Sequence, residues 1–306
     1  MNIQFTKYSK IYYIVSAVLI VASIVSLFAY GLKFGIEFTG GAVIDLTFTN
    51  QRPSNDQIKN QLSEFNLSDL TVKPVGNQGA TLQLSGVDEA THQKILSKLN
   101  ELSPVQENSF QYIGPSVGQE LRNKTEIAIL LALVAITIYI AFAFRKVSRP
   151  VSSWKYGITS LIALIHDILI PLGLFSVLGK FYNVEITIPI IAALLTVLGF
   201  SVHDTIVIFD RIRENILRRG MGNFQETVDW SLNQTIGRSL STVFSTLIVL
   251  FAIFFFGGDT LKYFALTLIV GITSGAYSSI FIASPLLVSW KSYDEKKMQK
   301  GQKPKK

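Results

Sequence analysis

The chain has 306 residues, of which 49% are hydrophobic and only 16% are charged, below the charge of about 25% that is usual in soluble domains. Because it contains no cysteine, disulfides, thiolate metal sites and cysteine nucleophiles are excluded. The net charge of +7 would suit a nucleic-acid partner, but the charge deficit falls in long uncharged runs, which indicate membrane spans.

Six segments are long and apolar enough to cross a bilayer as helices, which takes about 20 residues each. Two of them are interrupted once, the third by His166-Asp167 and the fourth by His203-Asp204. The first run is too long for a signal peptide and is interpreted as an uncleaved anchor. The predicted spans cover residues 11–32, 125–144, 156–179, 186–209, 239–258 and 263–290.

Lys and Arg residues beside the spans predict the orientation, because short cytoplasmic loops carry an excess of both. Eighteen of them lie in the tails 1–10 and 291–306 and in the loops after spans 2 and 4. The opposite short loops hold only Lys180 and Lys262. Both termini are therefore predicted to be cytoplasmic. The basic excess is a topology signal, so no nucleic-acid partner is expected.

The segment 33–124 is predicted to be an extracytoplasmic α+β domain. Its alternating runs and helical patterns follow the order β-α-β-β-α-β, which is the ferredoxin-like arrangement. No ligand motif occurs in it, so a contact surface is favoured over a catalytic role. The predicted strands cover 42–49, 70–75, 80–85 and 107–113, and the predicted helices cover 53–65 and 88–102.

Sequence motifs for nucleotide binding and for zinc-protease chemistry are absent. There is no GxxxxGK[ST] phosphate loop and no HExxH. The three histidines are far apart in the sequence and no metal-ligand spacing occurs. We therefore expect neither a cofactor nor a metal, and no enzymatic activity.

Ionisable residues inside the spans are the main functional candidates. Asp167 in span 3 and Asp204 in span 4 each follow a histidine. Such residues are costly in a bilayer, normally face the bundle interior and often form proton relays. The structural alternative is a hydrogen bond that only holds the helices together. Two acid–histidine pairs in one chain favour ion movement, with Asp204, His203 and Asp167 as candidates.

Arg238 lies where span 5 begins. From the residues alone it is best interpreted as a positive-inside anchor whose side chain reaches the headgroups. The functional alternative is a counter-charge for an intramembrane carboxylate.

Gly271, Gly275 and Ser279 recur at four-residue spacing in span 6. A stripe of small residues lets another helix approach closely. The sequence leaves open whether that helix belongs to this chain or to another protein.

Several motifs together resemble one family. GIEFTGG at 35–41 is similar to the family motif GIDFTGG, and GFSVHDTIVIFDRIREN at 199–215 resembles the span-4 signature of SecF. NQT at 233–235 with Arg238, and FGG at 256–258, fit the same pattern. The order and topology match over nearly the whole chain, so the chain resembles the SecD–SecF family of the resistance-nodulation-division (RND) superfamily.

The resemblance implies a six-helix RND-type half-bundle that pairs with SecD in the bacterial cytoplasmic (inner) membrane. It implies that the pair helps the Sec translocase to complete preprotein export with the proton-motive force. The implied partners are SecD, the SecY channel complex, YajC, YidC, the translocating preprotein, membrane lipid and protons.

The resemblance also assigns roles to residues. Asp204 and Arg238 match the family's span-4 acid and span-5 arginine, which are implicated in proton passage, and Asp167 matches the span-3 acid. Glu37 and His203 depart from the usual Asp and Asn. Two other interpretations remain open, a stand-alone exporter of small molecules and a passive scaffold. The single small outer domain and single half-bundle argue against the exporter.

The predicted orientation can be tested with a reporter that is active only in the cytoplasm. It should work when fused after Lys306 and fail when inserted within residues 50–114, because the basic loops hold both termini inside. Activity in the reverse pattern would contradict the predicted orientation.

Overall fold

The structure is a computed structural model that describes residues 3–65, 67, 70–84, 89–145, 151–219 and 223–301. It divides into a helical unit, Met1–Lys33 with Ile127–Lys306, and a smaller unit, Phe34–Glu126. Some residues used in the sequence predictions lie outside the described residues: Ser85, Asp88, Lys146, Arg149, Lys303, Lys305 and Lys306.

The described chain alternates between the two units. The helical unit begins with α1 (Ser9–Tyr30). The smaller unit contains α2 (Ile36–Thr39), β1 (Gly41–Phe48), α3 (Asn55–Gln61), β2 (Thr71–Val75), β3 (Gly79–Leu84), α4 (Glu89–Leu102) and β4 (Val105–Ile113). α5 (Pro115–Ala143) belongs to the smaller unit up to Glu126 and to the helical unit from Ile127. The helical unit continues with α6 (Ser153–Tyr182), α7 (Ile188–Arg219), α8 (Phe224–Phe256), α9 (Gly258–Ser278), a π-helical segment (Ser279–Ala283) and α10 (Ser284–Gly301).

Six helical stretches in the described residues are long and apolar enough to span a membrane, so the predicted fold class is confirmed. Five are α1 and α5 to α8, and the sixth runs from α9 through the π-helical segment into α10. The helices extend past the charge-free windows. α8 begins at Phe224 rather than at residue 239, because Phe224, Val228 and Leu232 form a buried four-residue repeat. The segment from 291, predicted to be a tail, is helical to Gly301.

The smaller unit is a four-stranded antiparallel sheet with strand order β2-β3-β1-β4. This is the order that the split β-α-β-β-α-β arrangement produces. Alternate residues of β1, including Ile44 and Leu46, are buried against Ile58 of α3 and Ile95 of α4. α3 is shorter than predicted and starts with a capping box, in which Ser54 and Gln57 bond to each other's backbone amides.

Gly40 and Gly41 form the tight turn between α2 and β1. Their φ angles are +74° and +135°, a region that residues with a Cβ atom rarely adopt. A Cβ atom on Gly41 would lie 2.7 Å from the Leu84 carbonyl oxygen, and one on Gly40 would lie 2.7 Å from Pro115 Cα. The GG pair is therefore required both by backbone conformation and by the close approach of neighbouring backbone.

Small residues also allow close helix packing in the helical unit. A Cβ atom on Gly173 of α6 would lie 2.5 Å from Ser23 Cβ of α1. Gly271 and Gly275 of α9 meet Val197 and Ser201 of α7, where added Cβ atoms would lie 2.3 Å from Val197 Cγ2 and 2.9 Å from Ser201 Cβ. The helix that approaches the small-residue stripe is thus α7 of the same chain.

Gly275→Leu should destabilise the bundle, because the larger side chain would collide with Ser201 of α7; overpacking typically costs about 1–3 kcal/mol. Thermal unfolding of the purified chain in detergent measures the effect. Gly199→Leu is the matched control, because no atom of the described residues lies within 4 Å of a Cβ atom at Gly199. Equal unfolding temperatures for the two variants would mean that α9 does not pack on α7 through this stripe.

Candidate functional site

Asp167 lies at the centre of a polar cluster inside the helical unit. Its carboxylate is fully buried. The hydroxyls of Ser201 and Ser278 donate to Oδ2 over 2.6 and 2.7 Å, and the hydroxyl of Ser274 donates to Oδ1 over 3.0 Å. We call these residues, with His166, the Asp167 cluster. Its donors come from α7 and α9, so the carboxylate of α6 joins three helices.

His166 contributes the fourth contact of the cluster. Its Nδ1 lies 2.9 Å from Asp167 Oδ1 and 3.3 Å from the hydroxyl of Ser274. The ring is 1% exposed, and its Nε2 is buried without a hydrogen-bond partner in the described residues. The ring also stacks on Tyr277 of α9, with centroids 6.0 Å apart. His166 therefore adds further contacts between α6 and α9.

Asp204 lies in a different and less complete environment. The residue is 6% exposed and belongs to α7. The hydroxyl of Ser239 in α8 donates to Oδ1 over 2.9 Å. The other oxygen, Oδ2, is buried and accepts no hydrogen bond within the described part of the chain. One half of this carboxylate is therefore available for a proton or a further donor.

His203 and Arg238 are the neighbours in sequence of Asp204 and Ser239, but their side chains are exposed. Among residues 3–65, 67, 70–84, 89–145, 151–219 and 223–301, neither the His203 ring nor the Arg238 guanidinium has a hydrogen bond or an ion-pair partner. Asp204 thus contacts α8 through Ser239, whereas the Arg238 side chain is exposed and does not bond to Asp204. Asp167 forms a separate cluster.

Ser279, the third member of the predicted stripe, contacts α7 through its hydroxyl. Ser279 Oγ lies 2.7 Å from Thr205 Oγ1, and we call this pair the hydroxyl bridge. Thr205 Oγ1 also donates to the Ser201 carbonyl over 3.1 Å. The π-helical segment begins at Ser279, a kind of irregularity that is frequent at functional sites.

The sequence predictions missed the hydroxyl partners of both acids. Ser201, Ser239, Ser274 and Ser278 read as ordinary small residues in apolar spans. A signal was present in their spacing, since Ser274 and Ser278 lie four apart and share a helix face. Serine hydroxyls on a buried face commonly bond across membrane helices. Within the described residues, no group of three or more His, Asp or Glu side chains could hold a metal ion.

Comparison with known proteins gives a consistent family match. A family model described as "Protein export membrane protein SecD/SecF, C-terminal" matches residues 93–293, and one described as "SecD/SecF GG Motif" matches residues 25–51. Protein translocase subunit SecF of Thermobaculum terrenum is 41% identical over 308 residues, covering 95% of both chains. The SecF subunit of Haemophilus influenzae is 37% identical, covering 92% of this chain and 83% of the relative.

Solved structures show the same fold. The crystal structure of SecDF from Thermus thermophilus, a translocon-associated membrane protein, aligns with a TM-score of 0.82 at 31% identity and covers 95% of this chain. A SecDF structure in a super-membrane-facing form aligns with a TM-score of 0.71 at 30% identity. The present chain spans only 39% and 40% of those SecDF chains.

Ser278→Ala should destabilise the helical unit, because it removes one of the two hydroxyl donors to Asp167 Oδ2. A hydrogen bond to a charged group is worth about 1.5–3 kcal/mol, so thermal unfolding in detergent should start at a lower temperature. Ser160→Ala is the control: its buried hydroxyl bonds to the Tyr156 carbonyl of its own helix and, in the described part of the chain, to no other helix. A loss in the control as large as in Ser278→Ala would show that the contact to Asp167 is not what matters.

Proposed function

The chain belongs to the SecD/SecF family of protein-export membrane proteins, and we propose that it uses the proton-motive force, together with SecD, to promote the late translocation of preproteins. Its relatives are named as translocase subunits, which are transport components rather than enzymes. The observation that carries the proposal is the half-satisfied carboxylate of Asp204, which is buried in a membrane-spanning helix and whose Oδ2 has no hydrogen-bond partner among the described residues.

A polar surface on α7 and α8 supports the pairing with SecD. Gly199 and His203 of α7, and Arg238, Ser241 and Ser245 of α8, are all exposed. Lipid is a poor environment for His203 and Arg238, since ionisable residues in spans normally face protein or water. The two serine hydroxyls beside them add to the polarity of this surface. A second helical half would cover this surface. The SecDF chains, of which this chain matches about two fifths, are long enough to contain one.

The proposed step is the uptake of a proton by Asp204 Oδ2 from the extracytoplasmic side and its release toward the cytoplasm. Ser239 holds the other oxygen in place throughout. Arg238, adjacent to Ser239, would bias the charge of Asp204 once the partner confines its side chain. His203 stands beside Asp204 at the same surface. Asp167 has donors on both oxygens, so it serves as the secondary member of the relay.

The proposal includes location and partners. Both termini lie in the cytoplasm, the smaller unit lies outside, and the membrane is the bacterial cytoplasmic membrane; the distribution of Lys and Arg supports this orientation. SecY with its channel complex, YajC and YidC are proposed as the wider assembly and the preprotein as the cargo. The exposed surface on α7 and α8 is assigned to SecD.

Asp204→Asn should remove the stimulation of export by a proton gradient, because the amide keeps the shape of the side chain and cannot be protonated reversibly. Export of a preprotein into membrane vesicles, with and without an imposed gradient, measures it. Asp204→Glu should retain part of the stimulation. Expression and co-purification with SecD should be unchanged in both. Full stimulation in Asp204→Asn would exclude Asp204 from the pathway and return the passive-scaffold interpretation to consideration.

Arg238→Lys is the companion variant in the same assay. It keeps the charge but loses the planar five-donor group. Reduced gradient-dependent export is expected if the guanidinium forms directed hydrogen bonds in the complex. Normal export would support the anchor interpretation of Arg238.

A further inference from the structure

We propose that Thr205 and Ser279 are positioning residues, whose hydroxyl bridge holds the Asp167 cluster and the Asp204 carboxylate in a fixed relation. The consequence for export rests on the proposed function, but the geometry of the two acids does not. The bridge is buried: Thr205 is 2% exposed and Ser279 is 0% exposed. Its two oxygens are 2.7 Å apart.

Each member of the bridge adjoins a residue that contacts an acid. In α7, Thr205 directly follows Asp204 and lies one turn after Ser201, which donates to Asp167. In α9, Ser279 directly follows Ser278, which donates to the same carboxylate. The bridge is thus attached to the Asp167 cluster on two helices and to Asp204 on one.

The Ser201 carbonyl lies within reach of both hydroxyls of the bridge. Thr205 Oγ1 lies 3.1 Å from this carbonyl oxygen and Ser279 Oγ lies 3.5 Å from it, and either hydroxyl can donate across the bridge. Loss of the Thr205 hydroxyl removes the 2.7 Å contact and leaves the buried Ser279 hydroxyl, among the described residues, with the longer contact to the Ser201 carbonyl. A poorly satisfied buried hydroxyl is unfavourable, and the helices would shift to relieve it.

The hydroxyl bridge lies where α9 passes into the π-helical segment. The segment starts at Ser279, and the Ser279 carbonyl accepts a hydrogen bond from the Ser284 hydroxyl over 2.9 Å. Ser278 therefore contacts α6 while Ser279, the next residue, contacts α7. A small rotation of α9 relative to α7 changes the contact of Ser278 with Asp167. Movement of α7 in turn changes the contact of Asp204 with Ser239 of α8, so both acids respond to the same interface.

Thr205→Val tests the bridge, because it keeps the branched shape and removes the hydroxyl. Infrared spectra recorded on the full chain co-purified with SecD contain the vibrations of both side-chain carboxyl groups. Subtraction of the spectra of Asp167→Asn and Asp204→Asn assigns a band to each acid. The expected result is that Thr205→Val and Ser279→Ala each shift both bands. Thr205→Ser, which restores the hydroxyl, should leave both bands in place.

Thr267→Val is the matched control. Thr267 is a buried residue of α9 whose hydroxyl bonds to the Tyr263 carbonyl of its own helix, so its loss breaks no hydrogen bond between helices within the described residues. Unshifted bands in Thr205→Val, or equal shifts in Thr267→Val, would overturn the proposal. A shift of only one band would also overturn it, because the bridge would then not relate the two acids.

The export assay separates this inference from the proposed function. Gradient-dependent export should fall about threefold to tenfold in Thr205→Val, as for the loss of one buried hydrogen bond, and Thr205→Ser should restore it. Shifted bands with normal export would support the positioning role and count against the proton-driven function. Reduced export with unshifted bands would count against the positioning role alone.

Discussion

The burial of the Asp167 carboxylate among helices that lie in lipid is the constraint on which the rest of the bundle depends. A carboxylate in that environment has no water to bond with, so the protein must supply its donors. Ser201 of α7 and Ser274 and Ser278 of α9 do so at 2.6 to 3.0 Å. Serine side chains are short, so their hydroxyls reach the carboxylate only if the three helices lie close together. The small residues at the α7–α9 interface, Gly271 and Gly275, make that approach possible.

The two intramembrane acids look alike in the sequence but differ in how far their hydrogen bonds are satisfied. Asp167 has donors on both oxygens, and its side chain is enclosed by the chain itself. Asp204 has a donor on Oδ1 and none on Oδ2 within the described residues. A complete set of donors stabilises one arrangement of helices, whereas an incomplete set leaves room for a change of state. This difference is the reason why the proposed function assigns proton exchange to Asp204 rather than to Asp167.

The features that the sequence predicts best are those in which lipid or water determines where apolar residues occur. Lipid selects apolar runs of fixed length, and a half-buried sheet selects alternation, so the six spans and the strands of the smaller unit are visible as patterns. The start of α8 is not visible in the sequence. Its first turns mix polar residues with the buried repeat of Phe224, Val228 and Leu232, so they resemble a loop. The partners of Asp167 are hidden for another reason. Ser201, Ser274 and Ser278 are more than thirty residues from Asp167 in the sequence, and their spacing does not say which helix they face.

α7 connects the two buried acids to the exposed surface of the helical unit. One face of this helix carries Ser201 and Thr205, which contact the Asp167 cluster and α9. Another carries Gly199 and His203, which are exposed. An α-helix is stiff over this length because every backbone hydrogen bond runs along it. A partner that displaces α7 by moving against its exposed face would therefore also move Ser201 and Thr205. Asp204 lies between the two faces, so under the proposed function its protonation and the contact with SecD would bias the same helix.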